Sequence, residues 1–195
     1  MKWLFDLLVG LLTKKSLAAA GAGAGPDALG NAVTVSMDLP SFYTEPQPPV
    51  GVMESRQVAD CIPYLQERWP LVQADFQAET GRQLFLTCTY RSKERQNELY
   101  QQGRRGIPGE RIVTKLDGFT KRSRHNFYPS QALDVCVDSD PGPGKHPVWD
   151  IAAYAPLGPI CARHGLVWGG DWNGDGLPNE KFVDAPHIEA PAGFA

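Results

Sequence analysis

No long apolar run offers itself as a bilayer span. The apolar stretch at residues 2–12 falls short of the ~20 residues a spanning helix needs, and Asp6 interrupts it. Excess charge is lacking too. With 19 Lys and Arg against 22 Asp and Glu the net charge is -3, so no basic signature marks a nucleic-acid partner, and none is expected. Cysteine pairs at metal-site spacing are missing. Cys61, Cys88, Cys136 and Cys161 form no Cys-x-x-Cys motif. Four buried thiols are the favoured expectation, with one disulfide as the alternative, whose pairing spacing cannot define. There is no internal repeat.

What is abundant is Gly and Pro, 20 and 17 residues, which favours loops over long regular elements. A length of 195 residues fits one domain of about 150 residues plus an extension. The extension is readable. Apolar residues at 4, 7, 8, 11 and 12 have helical spacing, and a small-residue stretch follows up to residue 25. Three readings of residues 1–25 stay open: an export signal or anchor, an interfacial helix on a membrane surface, and a helix docking on a protein partner. Residues 26–50 carry Pro26, Pro40, Pro46, Pro48 and Pro49 and read as a linker. The domain is expected at 51–195.

Within it, residues 55–78 have helical periodicity, with Ser55 as cap and Gly81 as stop. Pro63 and Pro70 predict two pieces or a kink. Residues 83–90 read as a strand, and a helix capped by Ser92 follows. Residues 134–137 read as a second strand and 149–164 as one helix with Ile151, Tyr154, Leu157, Ile160 and Cys161 inward. Short strands are expected at 166–168 and within 182–189. The mixture predicts an α+β domain.

Two clusters carry the chemistry. His125 precedes Asp134 by nine residues, and Asp184 precedes His187 by three. Neutral imidazoles and a carboxylate can hold zinc with one position open, and the second carboxylate can serve as a base. The ordinary alternative is satisfied histidines and turn-capping aspartates; spacing alone does not separate the two.

Several motifs stand in register. They are Thr89-Tyr90-Arg91-Ser92 with Gln96, Leu99-Tyr100 and Gly103-Arg104; Ser123-Arg124-His125; Ala132-Leu133-Asp134; Trp168-Gly169-Gly170-Asp171-Trp172; and Asp184-Ala185-Pro186-His187. Over about residues 55–190 the chain resembles the zinc peptidases of the D-alanyl-D-alanine carboxypeptidase and L-alanyl-D-glutamate endopeptidase group, which includes phage endolysins and bacterial wall hydrolases. The resemblance implies a hedgehog/DD-peptidase-like fold, a small mainly antiparallel sheet flanked by helices. It implies one Zn2+ per chain on His125, Asp134 and His187, with Asp184 as catalytic acid/base. Arg91 would stabilise the oxyanion, and Ser123 would lie on the substrate side. For these last two a salt bridge and a turn cap are the ordinary alternatives. The implied substrate is the peptidoglycan stem peptide, with L-alanyl-D-glutamate cleavage favoured. D-Ala-D-Ala carboxypeptidase action, a non-catalytic metal-binding module and a phage-particle component are the alternatives. Action would be in the periplasm or at the cell wall, with membrane association or phage delivery through the N-terminal segment. The sequence departs from the family at the step from His125 to Asp134, nine residues where seven is usual, with Tyr128-Pro129-Ser130 in the glycine region.

Other features are weaker. Asp171, Asn173 and Asp175 resemble the start of a calcium loop, but Phe182 stands where a bidentate Glu is needed and Glu180 is an imperfect substitute. A turn is the favoured reading, with Ca2+ as the alternative. Trp172 is expected in the cleft and Trp168 in the packing. His146 and His164 are expected to be structural. The basic run Lys121-Arg122 and Arg124 is either a solvated loop or a contact for an acidic substrate.

Overall fold

The computed structural model describes residues 46–140, 142–176, 178 and 181–194. The helix expected at 2–12, the small-residue stretch and most of the proline-rich linker lie outside the described residues.

Among the described residues five strands form one sheet: β1 (Gln83–Cys88), β2 (Ala132–Asp138), β3 (Pro147–Val148), β4 (Val167–Trp168) and β5 (His187–Glu189). Every pairing is antiparallel. β2 is the centre. β1 runs along one edge, β5 and β3 share the other, and β4 lies outside β5. Side chains alternate across a strand. Leu133, Val135 and Val137 therefore enter the core, and Asp134 and Cys136 face the other way.

Helix α1 (Pro63–Thr80) covers the core face. Leu65, Trp69, Val72 and Phe76 recur at helical spacing and are all buried. Each such side chain contributes about 1.5–3 kcal/mol relative to exposure. The helix is one piece, contrary to the expectation from its prolines. Pro63 sits in the first turn, where the missing N–H has no partner to lose. Pro70 lies inside the helix on its exposed side, so it removes one backbone bond where water replaces it. Ser55 does not cap this helix. Its backbone pairs with Thr89 and Tyr90, and Ile62 holds the cap position. Gly81 ends the helix at φ 70°, a left-handed conformation that glycine adopts without cost.

Helix α2 (Lys93–Gln101) starts as expected, with Ser92 Oγ accepting from Arg95 N at 3.1 Å. The helix expected over 149–164 is instead two, α3 (Ile151–Tyr154) and α4 (Leu157–Arg163). Pro156 lies between them and cannot donate the next ladder bond. Tyr154, Leu157, Ile160 and Cys161 are buried, but Ile151 is 49% exposed. One short turn presents one side to the core, and Ala153 and Tyr154 occupy it. The last strand is shorter than expected. Residues before it form a turn closed by His187 N donating to Asp184 O at 3.0 Å. All four cysteines are buried free thiols. No helix of the described residues is long and apolar enough to cross a membrane.

Candidate metal centre

The sheet register sets three side chains in a row. Cys88 on β1 faces Asp134 on β2, and Asp134 faces His187 on β5. Cys88 reaches this row through an irregularity. Leu84 and Leu86 pair with Val137 and Val135 on the core face, and the register then slips at Thr87. An extra residue in one strand re-aims the next side chain, so Cys88 joins Asp134 on the open face.

His125 comes from outside the sheet. It sits in a 3-10 turn, Arg124–Asn126, that Ser123 caps. Ser123 Oγ accepts from His125 N at 3.3 Å, and Asn126 Oδ1 accepts from Ser123 N at 2.7 Å. The turn is pinned to the strand end by Arg91 N donating to His125 O at 2.9 Å. The loop that follows is held at Ser130, whose Oγ donates to Thr89 O at 2.9 Å and whose N donates to Asp60 O at 2.7 Å.

Three atoms converge. His125 Nε2 lies 3.0 Å from Asp134 Oδ1 and 3.2 Å from His187 Nδ1, and His187 Nδ1 lies 3.1 Å from Asp134 Oδ1. A tetrahedral zinc ion with bonds of about 2.0 Å has ligand–ligand edges of about 3.3 Å, so this triangle fits the ion. The outer nitrogens are also held. His125 Nδ1 meets Thr89 O at 2.6 Å, and His187 Nε2 meets Glu189 Oε2 at 3.0 Å. In the neutral ring each bond assigns the proton to the outer nitrogen, so that the inner nitrogen can offer its lone pair to a metal, as in histidines that ligate metals. Glu189 was not singled out from the sequence. The signal was its place two residues after His187 in an expected strand, on the same face.

Cys88, His125 and Asp134 form a second group whose ligand atoms lie within 4.8 Å of one another. Cys88 Sγ, however, stands 3.8 Å from His125 Nδ1, the nitrogen already bonded to Thr89 O. One imidazole cannot serve both sides in that state. Burial also pushes the Cys88 thiol up to about 12, which disfavours the thiolate a metal needs.

The charges favour a cation. Burial opposes ionisation of Asp134, yet His125 and His187 hold its carboxyl well below the usual range. Burial likewise opposes protonation of His187, but its bonds to Asp134 and Glu189 outweigh that and push it up to about 10, so a metal at this site has to compete with a proton for Nδ1. Arg91 Nη2 donates to Asp134 Oδ2 at 3.1 Å and Nη1 to Gln96 Oε1 at 3.1 Å, which fixes the guanidinium plane. Its ordinary alternative, a salt bridge, is thus present. Burial, with Asp134 beside it, raises the pKa of Asp184, against the pull of His187, His125 and Arg91. Its carboxylate makes no hydrogen bond among the described residues.

These residues line one cleft of about 870 Å³, shared by Arg91, Ser123, Trp172 and Asp184. Trp172 is 37% exposed and stacks on Phe182, with centroids 6.4 Å apart, while Trp168 is buried, its Nε1 donating to Ala185 O at 2.8 Å. The glycines between them are spatially required. A Cβ on Gly169 would stand 2.5 Å from Asp184 O and 2.9 Å from His187 Cβ, and one on Gly170 would stand 2.2 Å from the Trp168 ring. The Asp171–Gly176 loop behaves as a turn. Asp171 accepts from Asp175 N at 2.9 Å and Gly176 N at 2.8 Å, and no group there meets the arrangement of a metal site among the described residues. Glu180 lies outside the described residues. His164 pairs with Asp75 at 2.9 Å and His146 with Asp138 at 3.7 Å, both away from the cleft.

An antiparallel sheet whose core face packs on α1 and α4, with two imidazoles and a carboxylate converging in a cleft on the other side, defines an α+β domain with a candidate metal centre. No family model matches the chain. The chain is 30% identical over 121 residues to the peptidoglycan L-alanyl-D-glutamate endopeptidase CwlK of Bacillus subtilis (strain 168). That match covers 57% of this chain and 63% of the relative, so the chain spans less than two thirds of the relative's length. Among solved structures, the Serratia marcescens L-Ala D-Glu endopeptidase ChiX is similar, with a TM-score of 0.41 and 22% identity over 71% of this chain and 91% of that one.

Proposed function

We propose that the chain is a zinc-dependent peptidase that hydrolyses the L-alanyl-D-glutamate bond of the peptidoglycan stem peptide, acting at the cell wall. The observation that supports it most is the triangle of His125 Nε2, Asp134 Oδ1 and His187 Nδ1, with sides of 3.0, 3.1 and 3.2 Å. The similarity to CwlK supplies the substrate. His125, Asp134 and His187 hold one zinc ion, which when bound supplies Lewis acidity for the carbonyl and makes water acidic near pH ~7.

The chain's own residues do the rest. Asp184 takes a proton from the attacking water and returns it to the amide nitrogen as the C–N bond breaks. Its raised pKa suits both halves of that task. Arg91 keeps its guanidinium fixed by Asp134 and Gln96 and directs its remaining donors at the oxygen that gains charge. Trp172 and Phe182 stack on each other and line the cleft, offering an apolar surface to the peptide. Ser123 supports the His125 turn and lines the cleft where the peptide lies.

Digestion of purified peptidoglycan with and without chelator, followed by mass spectrometry of new termini, tests the reading. Metal-dependent appearance of D-glutamate amino termini is expected. Release of D-alanine instead moves the activity to a carboxypeptidase. Absence of metal-dependent cleavage overturns the reading.

A further inference from the structure

We propose that Lys115 and Arg122 form a subsite for a free carboxylate of the substrate beside the scissile amide. The inference rests on the peptidase reading above and names two residues that set its specificity. It starts from the charges along the cleft. Four Lys and Arg side chains line it: Arg91, Lys115, Arg122 and Arg124. Two are balanced by carboxylates of the same cleft. Arg91 pairs with Asp134 at 3.1 Å, and Arg124 pairs with Glu189 at 3.7 Å while donating to Gln131 Oε1 at 2.8 Å. The other two are not. The Lys115 side chain has no hydrogen bond or ion pair among the described residues. Arg122 has no carboxylate partner among the described residues. It donates through Nη2 to Asn126 O and lies over the Phe127 ring at 4.0 Å from the centroid.

That contrast separates the basic residues the sequence grouped together. Arg124 is neutralised and braces Glu189. Lys121 is exposed and does not line the cleft. Arg122 and Lys115 do line it, and Arg122 is held by its stacking and its carbonyl bond with donors left over. A planar guanidinium fixed in this way is arranged for a carboxylate. Lys115 adds a second positive charge to the lining of the same cleft. The local chain explains why acids do not quench them. Asp117, the nearest acid in sequence, accepts from the backbone N–H groups of Phe119, Thr120 and Lys121 at 2.9, 2.8 and 2.8 Å. Glu110 is engaged with Gly103 N at 3.0 Å and Arg105 at 3.5 Å. In a stem peptide whose D-glutamate continues through its side chain, the α-carboxylate remains free next to the cleaved bond. It is an anion of the kind these cations recognise.

The test uses two synthetic stem peptides that differ only at that group, free carboxylate in one and primary carboxamide in the other. Kd by calorimetry on the zinc-loaded full chain carrying Asp184→Asn, and KM and kcat on the wild type, are measured for both. The acid peptide is expected to bind about tenfold more tightly, with the preference shrinking as salt rises. Lys115→Gln and Arg122→Gln should each raise KM about three- to tenfold for the acid peptide alone, with kcat kept, and Lys115→Arg should retain the preference. Equal binding of the two peptides, binding of neither, or variants that weaken both peptides alike would overturn the subsite. A misfolded variant is recognised by a lowered Tm. If the wild type turns over neither peptide, the peptidase reading fails, and the Kd comparison still decides the carboxylate.

Discussion

His187 Nε2 and Glu189 Oε2 are 3.0 Å apart on one face of the same three-residue strand. The bond leaves His187 Nδ1 toward Asp134 and His125. Glu189→Ala should therefore lower zinc affinity about 10- to 100-fold, as loss of such an orienting partner does elsewhere. Competitive titration with a chromophoric chelator measures it. An unchanged affinity would show that strand packing alone sets the imidazole.

Asp184 is a base without being a ligand in this scheme. Asp184→Asn should reduce kcat by about 10²- to 10⁴-fold while the protein still binds one zinc per chain. Metal content by atomic absorption and single-turnover rates on the same preparation check both halves. Full activity in the variant would remove Asp184 from the reaction.

Two glycines make a contrast in which geometry predicts the difference. Gly81 has φ 70° and nothing within 4 Å of an added Cβ, so Gly81→Ala carries only the left-handed backbone cost of about 1 kcal/mol. Gly169→Ala would meet Asp184 O at 2.5 Å and His187 Cβ at 2.9 Å, backbone and proposed ligand together. It should lower Tm further and weaken zinc binding, whereas Gly81→Ala should leave zinc binding unchanged. Thermal unfolding with and without zinc distinguishes them.

The buried thiols give a pH dependence. Burial pushes Cys61 and Cys161 up to about 12, with Asp60 adding to the rise at Cys61. A raised folded pKa means that the stabilisation is complete below the unfolded value of about 9 and is lost as pH climbs toward 12. Urea unfolding free energy should thus fall as pH rises from about 9 toward about 12, the window these thiols set, and Cys161→Ala should flatten the fall. Native protein should also resist thiol reagents at pH ~7.5 until it is unfolded.

Much of the frame was readable because it is local. Ser92 caps α2 and Gly81 stops α1, each through bonds within a few residues. The periodicity of Leu65, Trp69, Val72 and Phe76 identified the core face of α1. Proline acts differently at two places: at Pro70 exposure makes the lost bond inexpensive and the helix continues, whereas at Pro156 the helix breaks. The resemblance named His125, Asp134, His187 and Asp184, and they line one cleft. It missed Glu189, since a carboxylate two residues from a histidine acquires meaning only once the strand is known.

The sequence by itself determined which side chains were available and which faces of the long helix and central strand were apolar, because these follow from residue type and period. The tertiary structure decided which nitrogen of each histidine faces the cluster. His125 depends for this on Thr89, 36 residues away, and meets His187 from 62 residues away. It decided that Cys88 turns to the open face, through a register slip that no alternation pattern contains. It also decided which cations of the cleft keep an unbalanced charge. A charge is cancelled by its neighbours in space, and those neighbours are brought together only by folding.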